Sequence, residues 1–298
     1  KKGFTYTAGG NVYFDASKLK DYGKLARLDL DAECKARVEK DLNKKCSYDF
    51  VLWFTKSKFQ DQGMKWKSPW GEGYPGWHLE CSAMSMKYLG EQFDVHCGGI
   101  DHIPVHHTNE IAQSEAFTGK KPWVKYWLHN EFLVLGKGEK MAKSGENFLT
   151  LSVLEEKGYN PLDFRYFCLG THYRKPLMFS FEALDGARNG FKKLTDKVLG
   201  IKTERKVKVN KKYLVRFTKE VNDDLNTPQA LATMWEVLKD EKLSAGEKYF
   251  TLLEFDQVLG LGLKDLKVDK IPKEVVKLAE ERLSARLDKD WKKADDLR

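Results

Sequence analysis

Hydrophobic and polar positions follow two different patterns along this chain, and the change between them falls near residue 150. Before it, apolar residues come in short runs that end at glycines or polar turns, which is typical of strands. The run at 93–97 indicates a buried strand that leads into two glycines, and a helix with proline at its start and glycine after its end is predicted over 104–118. From residue 154 onward, apolar residues recur every three or four positions between lysines, which indicates helices. The pattern predicts an α/β region followed by an all-helical region.

Shorter patterns refine this division. Residues 11–14 alternate as a short strand, and a charged, helix-prone connector follows them up to residue 48. A second strand is predicted at 132–135, before a glycine-flanked loop. A basic stretch over 202–212 links two of the predicted helices. A strand, a glycine turn, a helix and a further strand in this order predict a parallel α/β sheet.

Composition narrows the functional classes. The 298 residues are 41% hydrophobic and 32% charged, which is typical of a soluble globular protein of about two domains. No apolar run approaches the roughly 20 residues that a membrane helix needs, so no membrane partner is expected. The formal net charge of +8 favours a polyanionic partner, although a solvated basic surface explains the same excess. The five scattered cysteines predict reduced thiols and a cytoplasmic location rather than a disulfide framework.

Histidine locates the candidate chemistry. All seven histidines fall between His78 and His172, and histidine is the commonest metal ligand and proton carrier near neutral pH. His106 and Glu110 are four residues apart, so they share one face of the predicted helix. Cys81 lies upstream, and a thiolate, an imidazole and a carboxylate together form a set that suits zinc. On these three residues alone, a surface helix and a buried structural cysteine remain the alternative.

Two further motifs carry weaker signals. Gly98, Gly99 and Asp101 follow a predicted strand, where paired glycines admit a ligand to the backbone and an acidic residue can bind a ribose hydroxyl. Lys140 and Lys143 lie on the glycine-flanked loop, from which two lysines can reach a triphosphate. An ordinary turn and an exposed hairpin explain these motifs better when each stands alone.

Taken in order, these motifs resemble the cysteinyl-tRNA synthetases, a family of class I aminoacyl-tRNA synthetases. The resemblance covers nearly the whole chain, and its segments keep the family's order and spacing: 73–85, 93–101, 106–115, 140–144, 171–174 and 221–230. It implies ATP-dependent activation of cysteine to cysteinyl-adenylate, followed by transfer to the 3′ end of tRNA(Cys). It also implies one zinc ion per chain, Mg²⁺ bound with ATP, and a monomer.

The resemblance assigns roles to individual residues around the amino acid. Cys81, His106 and Glu110 match three of the family's four zinc ligands, and Trp77 matches the indole that closes over the bound amino acid. The four-residue spacing aligns His106 with Glu110, so the neighbouring imidazole of His107 is expected to point elsewhere. Three histidines match those that line the same cleft, although a structural role explains each of them equally well: His78, His96 and His107.

The nucleotide site is implied in the same way. Gly98, Gly99 and Asp101 match the segment that binds adenosine. Lys140 and Lys143 match the catalytic lysines of the mobile KMSKS loop, and Lys143 is also expected to contact ATP. Cysteine and serine differ by one atom, so hydrophobic fit separates them poorly, whereas a thiophilic zinc ion binds a thiolate directly. This preference is a physical reason for such an enzyme to need no editing domain.

A fold and a division of the chain are also implied. The expected fold is the second half of a Rossmann-like parallel α/β catalytic domain followed by an all-α helical bundle. Four regions are expected: a connective segment over 1–48, the catalytic half-domain over 49–150, a stem-contact-like linker over 151–185 and a helical tRNA-binding domain over 186–298.

The chain departs from the family in several places. Ala142 replaces the middle serine of the loop motif, Cys97 stands where the family has glycine, and Tyr74 replaces a usual arginine. The His-x-Gly-His signature and the cysteine that is the fourth zinc ligand are absent from the sequence. A fragment of a longer synthetase is expected, and residues 1–298 alone are expected not to activate cysteine.

Three other functions fit parts of this pattern. A cysteine:amino-sugar ligase of mycothiol synthesis would share the zinc and adenylate residues, and a tRNA charging assay separates it from a synthetase. A non-catalytic RNA-binding paralogue would explain the absent signature, although the intact metal and loop residues argue against it. A zinc metalloprotease is disfavoured because His106-His-x-x-Glu110 is not His-Glu-x-x-His and lacks its general base.

Overall fold

The computed structural model describes residues 2–28, 41–57, 63–135, 139–140, 150–267 and 272–297. The chain forms two compact units. Unit 1 comprises Lys1–Ala142 and Tyr173–Met178, and unit 2 comprises Lys143–His172 and Phe179–Arg298. The units divide the chain differently from the four predicted regions, because a short segment after residue 172 returns to unit 1.

Within its described residues, unit 1 combines short strands with two α-helices. Its helices are α1 (Trp77–Leu89) and α2 (Thr108–Thr118). Its strands are β1 (Thr5–Ala8), β2 (Asn11–Phe14), β3 (Phe50–Phe54), β4 (Tyr74–Pro75), β5 (Phe93–Gly99), β6 (Val124–Asn130), β7 (Leu133–Leu135) and β8 (Glu139–Lys140). A last strand, β9 (Leu177–Phe179), begins in its returning segment, and β7 lies between β8 and β9 in a three-stranded sheet.

The N-terminal strands belong to a four-stranded antiparallel sheet in the order β1-β2-β3-β4. The strand predicted at 11–14 is β2, but all four of its residues are buried instead of alternating. Successive side chains of a strand point to opposite faces, and both faces of β2 are covered. Tyr13 stacks on Tyr6 with ring centroids 5.3 Å apart, and Phe14 stacks on Phe50 at 4.8 Å. The sheet joins residues on both sides of the predicted boundary at residue 48.

The parallel pairing expected of the α/β region is formed by β5 and β6, with α2 in the connection between them. The predicted fold class, a parallel α/β region followed by an all-α bundle, is confirmed. The expectation that the strand at 93–97 is buried is wrong, because only Phe93 is buried while Asp94, Val95 and Cys97 are exposed. Among the described residues β5 pairs with β6 along one edge only, which leaves its other edge uncovered.

The helix predicted over 104–118 is present within one continuous helical segment, which combines three types of helix. A 3-10 turn over Ile100–His102 leads into a π-helical turn over Ile103–His107, and α2 follows without a break. Gly119 ends the segment with φ of 77°, in the left-handed region that glycine adopts at little cost. Single π-helical turns are rare and frequent at functional sites, and this one carries two adjacent histidines.

Glu115, in the last turn of α2, gives unit 1 a titratable group whose charge opposes folding. Its carboxylate is buried and accepts a hydrogen bond from the backbone N–H of Trp123 at 3.1 Å. Burial raises the pKa of Glu115 above the unfolded value near 4.5, and Lys121, 3.6 Å away, only partly offsets this. Its stabilising contribution is therefore complete below pH 4.5 and lost as pH rises through the folded-state pKa.

We expect Glu115→Gln to remove that loss. The quantity to compare is the unfolding free energy of the variant minus that of the unchanged protein, measured by urea denaturation. This difference should be larger at pH 7 than at pH 4. Glu91→Gln is the control of opposite sign, since a hydrogen bond from Lys120 lowers the pKa of the exposed Glu91 carboxyl. An equal difference at both pH values for Glu115→Gln would contradict the prediction.

Unit 2 is built from helices, as the three- and four-residue spacing predicts. They are α3 (Leu151–Glu156), α4 (Pro161–Leu169), α5 (Phe181–Ile201), α6 (Lys211–Asn222), α7 (Thr227–Lys239), α8 (Ala245–Leu259), α9 (Lys273–Leu287) and α10 (Trp291–Asp296). Helices α4 and α8 begin with capping boxes at Asn160 and Ser244. Phe217 and Phe255 stack at 4.0 Å in the apolar core, which also holds Leu252. None of the described helices combines the length and apolar character that a membrane span requires.

Candidate metal centre

Two helical segments of unit 1 bring a thiol, an imidazole and a carboxylate together. Cys81 lies in the second turn of α1, His106 in the π-helical turn, and Glu110 in the first turn of α2. One ligand atom from each of them lies within 4.8 Å of the others. The sequence had suggested this set from spacing, and the structure places its members close enough to share one ion.

Glu110 is the most deeply placed of the three. Its side chain is fully buried, with Oε1 3.0 Å from Nε2 of His106 and Oε2 2.7 Å from Nε2 of His96. Burial alone would raise the pKa of Glu110, but the close imidazole of His106 and the hydrogen bond from His96 outweigh it and lower the pKa to about 2. The carboxylate is therefore ionised at neutral pH, with no carboxyl proton to compete with a cation.

The contact between Glu110 and His106 is close, yet its geometry is poor for a hydrogen bond. Oε1 of Glu110 is a buried atom without a hydrogen-bond partner of good geometry among the described residues. Such orphaned buried acceptors are costly in native proteins and call for a water or an ion. A cation bound between Cys81, His106 and Glu110 would satisfy this oxygen, and sulfur, nitrogen and oxygen are the ligands that zinc takes.

The thiol of Cys81 is held in its neutral form. Burial raises the pKa of Cys81 to about 11, and the neighbouring charge of Glu110 adds to the effect. A thiolate is the form that binds metal, so zinc would displace the proton from this sulfur. The donor set therefore fits zinc, which pairs a soft thiolate with an imidazole and a carboxylate.

A second group of possible ligands overlaps with the first. His96, His107 and Glu110 also offer one ligand atom each within 4.8 Å of one another. However, Oε2 of Glu110 is already paired with His96, and Nδ1 of His107 lies 2.7 Å from Nε2 of His129. Burial lowers the pKa of His107 to about 3, so this ring is neutral, and one of the two rings donates its N–H to the other. Only the set with Cys81 contains a thiol.

Trp77 lies beside the candidate metal centre. It is the first residue of α1 and is 63% exposed, although its ring centroid lies 4.4 Å from that of His106. The ring also meets His102 edge-on at 5.4 Å. An exposed indole beside a ligand imidazole can cover a small molecule bound at the metal, which is the role expected of Trp77.

The glycine pair at the end of β5 lies against the same histidines. A Cβ atom at Gly98 would lie 2.8 Å from Nδ1 of His102 and would collide with the ring of His107, so a side chain cannot be accommodated there without moving them. Asp101, two residues beyond Gly99, is exposed in the 3-10 turn. Gly98 thus lets β5 approach the histidine cluster, whereas a Cβ atom at Gly99 would meet the carboxylate of Asp101 at 2.5 Å.

The loop lysines cannot be placed beside the centre. The backbone of Lys140 ends β8, where it pairs with Val134, whereas Lys143 lies outside the described residues. Their roles stay predictions from the sequence.

Sequence reasoning missed several residues of the site. His102 has a buried Nδ1 without a hydrogen-bond partner among the described residues, and His129 reaches His107 from β6. Gln113, on α2, accepts a hydrogen bond from Nδ1 of His78 at 2.9 Å. Burial lowers the pKa of His78 to about 4, so its ring is neutral. The signal for His129 was available, because carboxyl ends of neighbouring parallel strands meet at one edge, but β6 itself was not predicted.

Family models match most of the chain. A model described as the tRNA synthetases class I (C) catalytic domain matches residues 1–189. A second model, described as the DALR domain, matches residues 216–264. The first lies mainly over unit 1 and the second lies within the helices of unit 2.

Curated proteins are similar over almost the entire chain. A cysteine–tRNA ligase of Treponema denticola is 47% identical over 332 aligned residues, which cover 99% of this chain and 67% of that protein. A cysteine–tRNA ligase of Borrelia hermsii is 45% identical, with 100% and 67% covered. Cysteine–tRNA ligase 1 of Burkholderia lata is 45% identical, with 100% and 63% covered. The chain spans about two thirds of the length of these relatives.

Proposed function

The chain belongs to the cysteine–tRNA ligases, a family of class I aminoacyl-tRNA synthetases, and from this premise we propose that it selects cysteine at a zinc centre. In the proposed reaction the carboxylate of cysteine attacks the α-phosphorus of ATP, which gives cysteinyl-adenylate and pyrophosphate. A hydroxyl at the 3′ end of tRNA(Cys) then attacks the activated carbonyl and releases AMP. The observation that carries the proposal is the convergence of Cys81, His106 and Glu110 within 4.8 Å, with an orphaned carboxylate oxygen among them.

Cys81, His106 and Glu110 would hold the metal. Bound zinc supplies a thiophilic Lewis acid for the substrate thiolate, which the hydroxyl of serine cannot match. His96 holds Oε2 of Glu110 at 2.7 Å and so orients the carboxylate toward His106. Trp77 covers the amino acid from the solvent side.

The nucleotide is assigned to the glycine pair and the loop. Gly98 and Gly99 let the adenosine approach the backbone at the end of β5, and Asp101 accepts hydrogen bonds from the ribose hydroxyls. Lys140 and Lys143 neutralise the charge that develops on the phosphates as pyrophosphate leaves. Mg²⁺ accompanies ATP.

Metal removal tests the proposal. The synthetase with the His-x-Gly-His half-domain restored, dialysed against a zinc chelator, should lose cysteine-dependent ATP–pyrophosphate exchange and regain it when one equivalent of zinc is added. Exchange with serine should stay negligible throughout, because zinc binds a thiolate far better than the hydroxyl of serine. Undiminished exchange in protein shown by elemental analysis to be free of zinc would overturn the assignment of the metal.

The lysine-rich helices over 186–298 are proposed to bind tRNA through its phosphates. Lys192, Lys193 and Lys197 are exposed on α5, and each phosphate contact made by a lysine contributes about one unit to the slope of log K against log salt. We expect tRNA affinity to fall steeply between low and physiological salt, and substitution of these three lysines by glutamine to reduce the slope. Lys125→Gln, an exposed lysine of unit 1 paired with Asp94, is the control. A flat salt dependence in the unchanged protein would contradict this prediction.

A further inference from the structure

The candidate metal centre depends on two separate helices. Cys81 comes from α1, whereas His106 and Glu110 come from the helical segment that contains α2. A metal site tolerates only a few tenths of an ångström of error in its ligand distances. A slide of α1 along α2 would carry the thiol away from the other two ligands, so the fold must hold these helices in one register.

A buried polar cluster lies between the two helices. Gln113 of α2 is buried, and its side-chain Nε2 donates hydrogen bonds to the backbone oxygen of His78 at 2.7 Å and to Oγ of Ser82. Its Oε1 accepts from Nδ1 of His78 at 2.9 Å. Ser114, which is also buried, donates to Oγ of Ser82 at 3.0 Å.

This cluster uses both N–H groups and the oxygen of the Gln113 carboxamide in contacts with α1. Both N–H groups of Gln113 are donated and its oxygen is occupied, and all three contacts are made to α1. Buried polar groups that are completely satisfied specify one arrangement of a core, because any slippage leaves several of them unpaired at once. The contacts join a backbone oxygen, a ring nitrogen and a hydroxyl, so a shift along the helix axis breaks all of them together.

The cluster lies one helical turn from the ligands on both helices. Gln113 follows Glu110 by three residues, and His78 precedes Cys81 by three, so each pair shares a helix face. Ser82 directly follows Cys81 in the chain. Gln113 therefore fixes the register of α1 and α2 directly beside Cys81 and Glu110, and so sets the distance between these two residues.

We propose that Gln113 is a positioning residue that locks α1 against α2 and thereby keeps the sulfur of Cys81 within reach of His106 and Glu110. This inference rests on the metal centre of the proposed function and extends it to a residue that binds neither metal nor substrate. Ser82 and the backbone oxygen of His78 are the acceptors on α1 through which Gln113 acts.

The test compares zinc affinity with stability. Gln113→Met keeps the length and volume of the side chain and removes all three of its hydrogen bonds to α1. Ser82→Ala removes one of these three, together with the hydrogen bond from Ser114. Zinc affinity of the full protein, measured by competition with a chromophoric chelator, should fall about tenfold or more for Gln113→Met, the scale seen when supporting residues of metal sites are changed. It should fall in the same direction, by a smaller factor, for Ser82→Ala. Gln257→Met, on the exposed surface of α8, is the matched control and should stay within twofold.

A residue that only stabilises the core would lower the urea midpoint but leave the zinc affinity of the folded protein unchanged. Zinc binding by Gln113→Met within twofold of the unchanged protein would therefore overturn the inference. If Gln113→Met does not fold, Ser82→Ala decides by the same criterion. In a Cys81→Ser background Gln113→Met should add less than a twofold further loss, since the ligand it positions is gone.

The two proposals fail in different ways. Absence of zinc binding in the unchanged protein would remove the metal centre and the inference with it. Zinc binding that is tight in the unchanged protein and insensitive to Gln113 and Ser82 would leave the proposed function standing and remove only the role of Gln113.

Discussion

Replacing Cys81 by serine is expected to weaken zinc binding by about a hundredfold or more and, in the synthetase with the His-x-Gly-His half-domain restored, to abolish cysteine-dependent pyrophosphate exchange. The substitution changes one atom and keeps the shape of a half-buried side chain, so packing on α1 is preserved. A hydroxyl stays protonated at neutral pH and is a poor ligand for zinc, whereas the thiolate is among its best. Changes in supporting residues already cost 10–100-fold in metal affinity, and loss of a direct ligand exceeds that.

Cys168→Ser is the matched control for this prediction. Cys168 is also a half-buried thiol in a helix, and burial raises its pKa as it does that of Cys81. It lies in unit 2 and is not a member of either group of possible ligands. Zinc content, chelator competition and exchange rate should be unchanged in Cys168→Ser. An equal loss in both variants, or none in Cys81→Ser, would exclude Cys81 as the ligand.

The parts of the fold that the sequence predicted depend on local interactions. The segment over 104–118 was recognised because proline and glycine mark its two ends and because His106 and Glu110 recur at helical spacing. In unit 2 the three- and four-residue periodicity predicts helices whose apolar faces meet in one core around Phe217 and Phe255. Such signals lie within a few residues of the feature that they report, so one sequence is enough to read them.

Long-range pairings were not predictable in this way. The antiparallel sheet that joins β2 to β3 connects residues about forty positions apart, and nothing in residues 1–48 indicates which later strand they meet. The partial exposure of β5 depends on how many strands pair with it. The apolar residues of β5 itself do not show that number. The same limit explains the candidate site, where spacing suggested Cys81, His106 and Glu110, whereas Gln113 and His129 enter it only through tertiary packing.

Loss of the loop lysines is expected to slow activation without affecting the metal. In the synthetase with the His-x-Gly-His half-domain restored, Lys143→Ala should reduce the rate of cysteine-dependent pyrophosphate exchange by about 10²–10³-fold, the size of effect seen when one preorganised charge-stabilising donor is removed from a transition state. Lys143→Arg keeps the positive charge but presents a planar, forked group, so it should recover only part of the rate. Zinc affinity should match that of the unchanged protein in both variants, because Lys143 does not belong to the proposed ligand set.

Substitution of Lys143 should therefore lower the exchange rate alone, whereas substitution of Cys81 should lower both the exchange rate and zinc binding. Lys120→Ala is the control, since that exposed lysine of unit 1 pairs with Glu91 and has no proposed role in the reaction. The measurements are the initial exchange rate at saturating ATP and cysteine, and chelator competition for zinc on the same preparations. An exchange rate for Lys143→Ala within threefold of the Lys120→Ala control would show that the transition-state charge is stabilised by other groups of the protein.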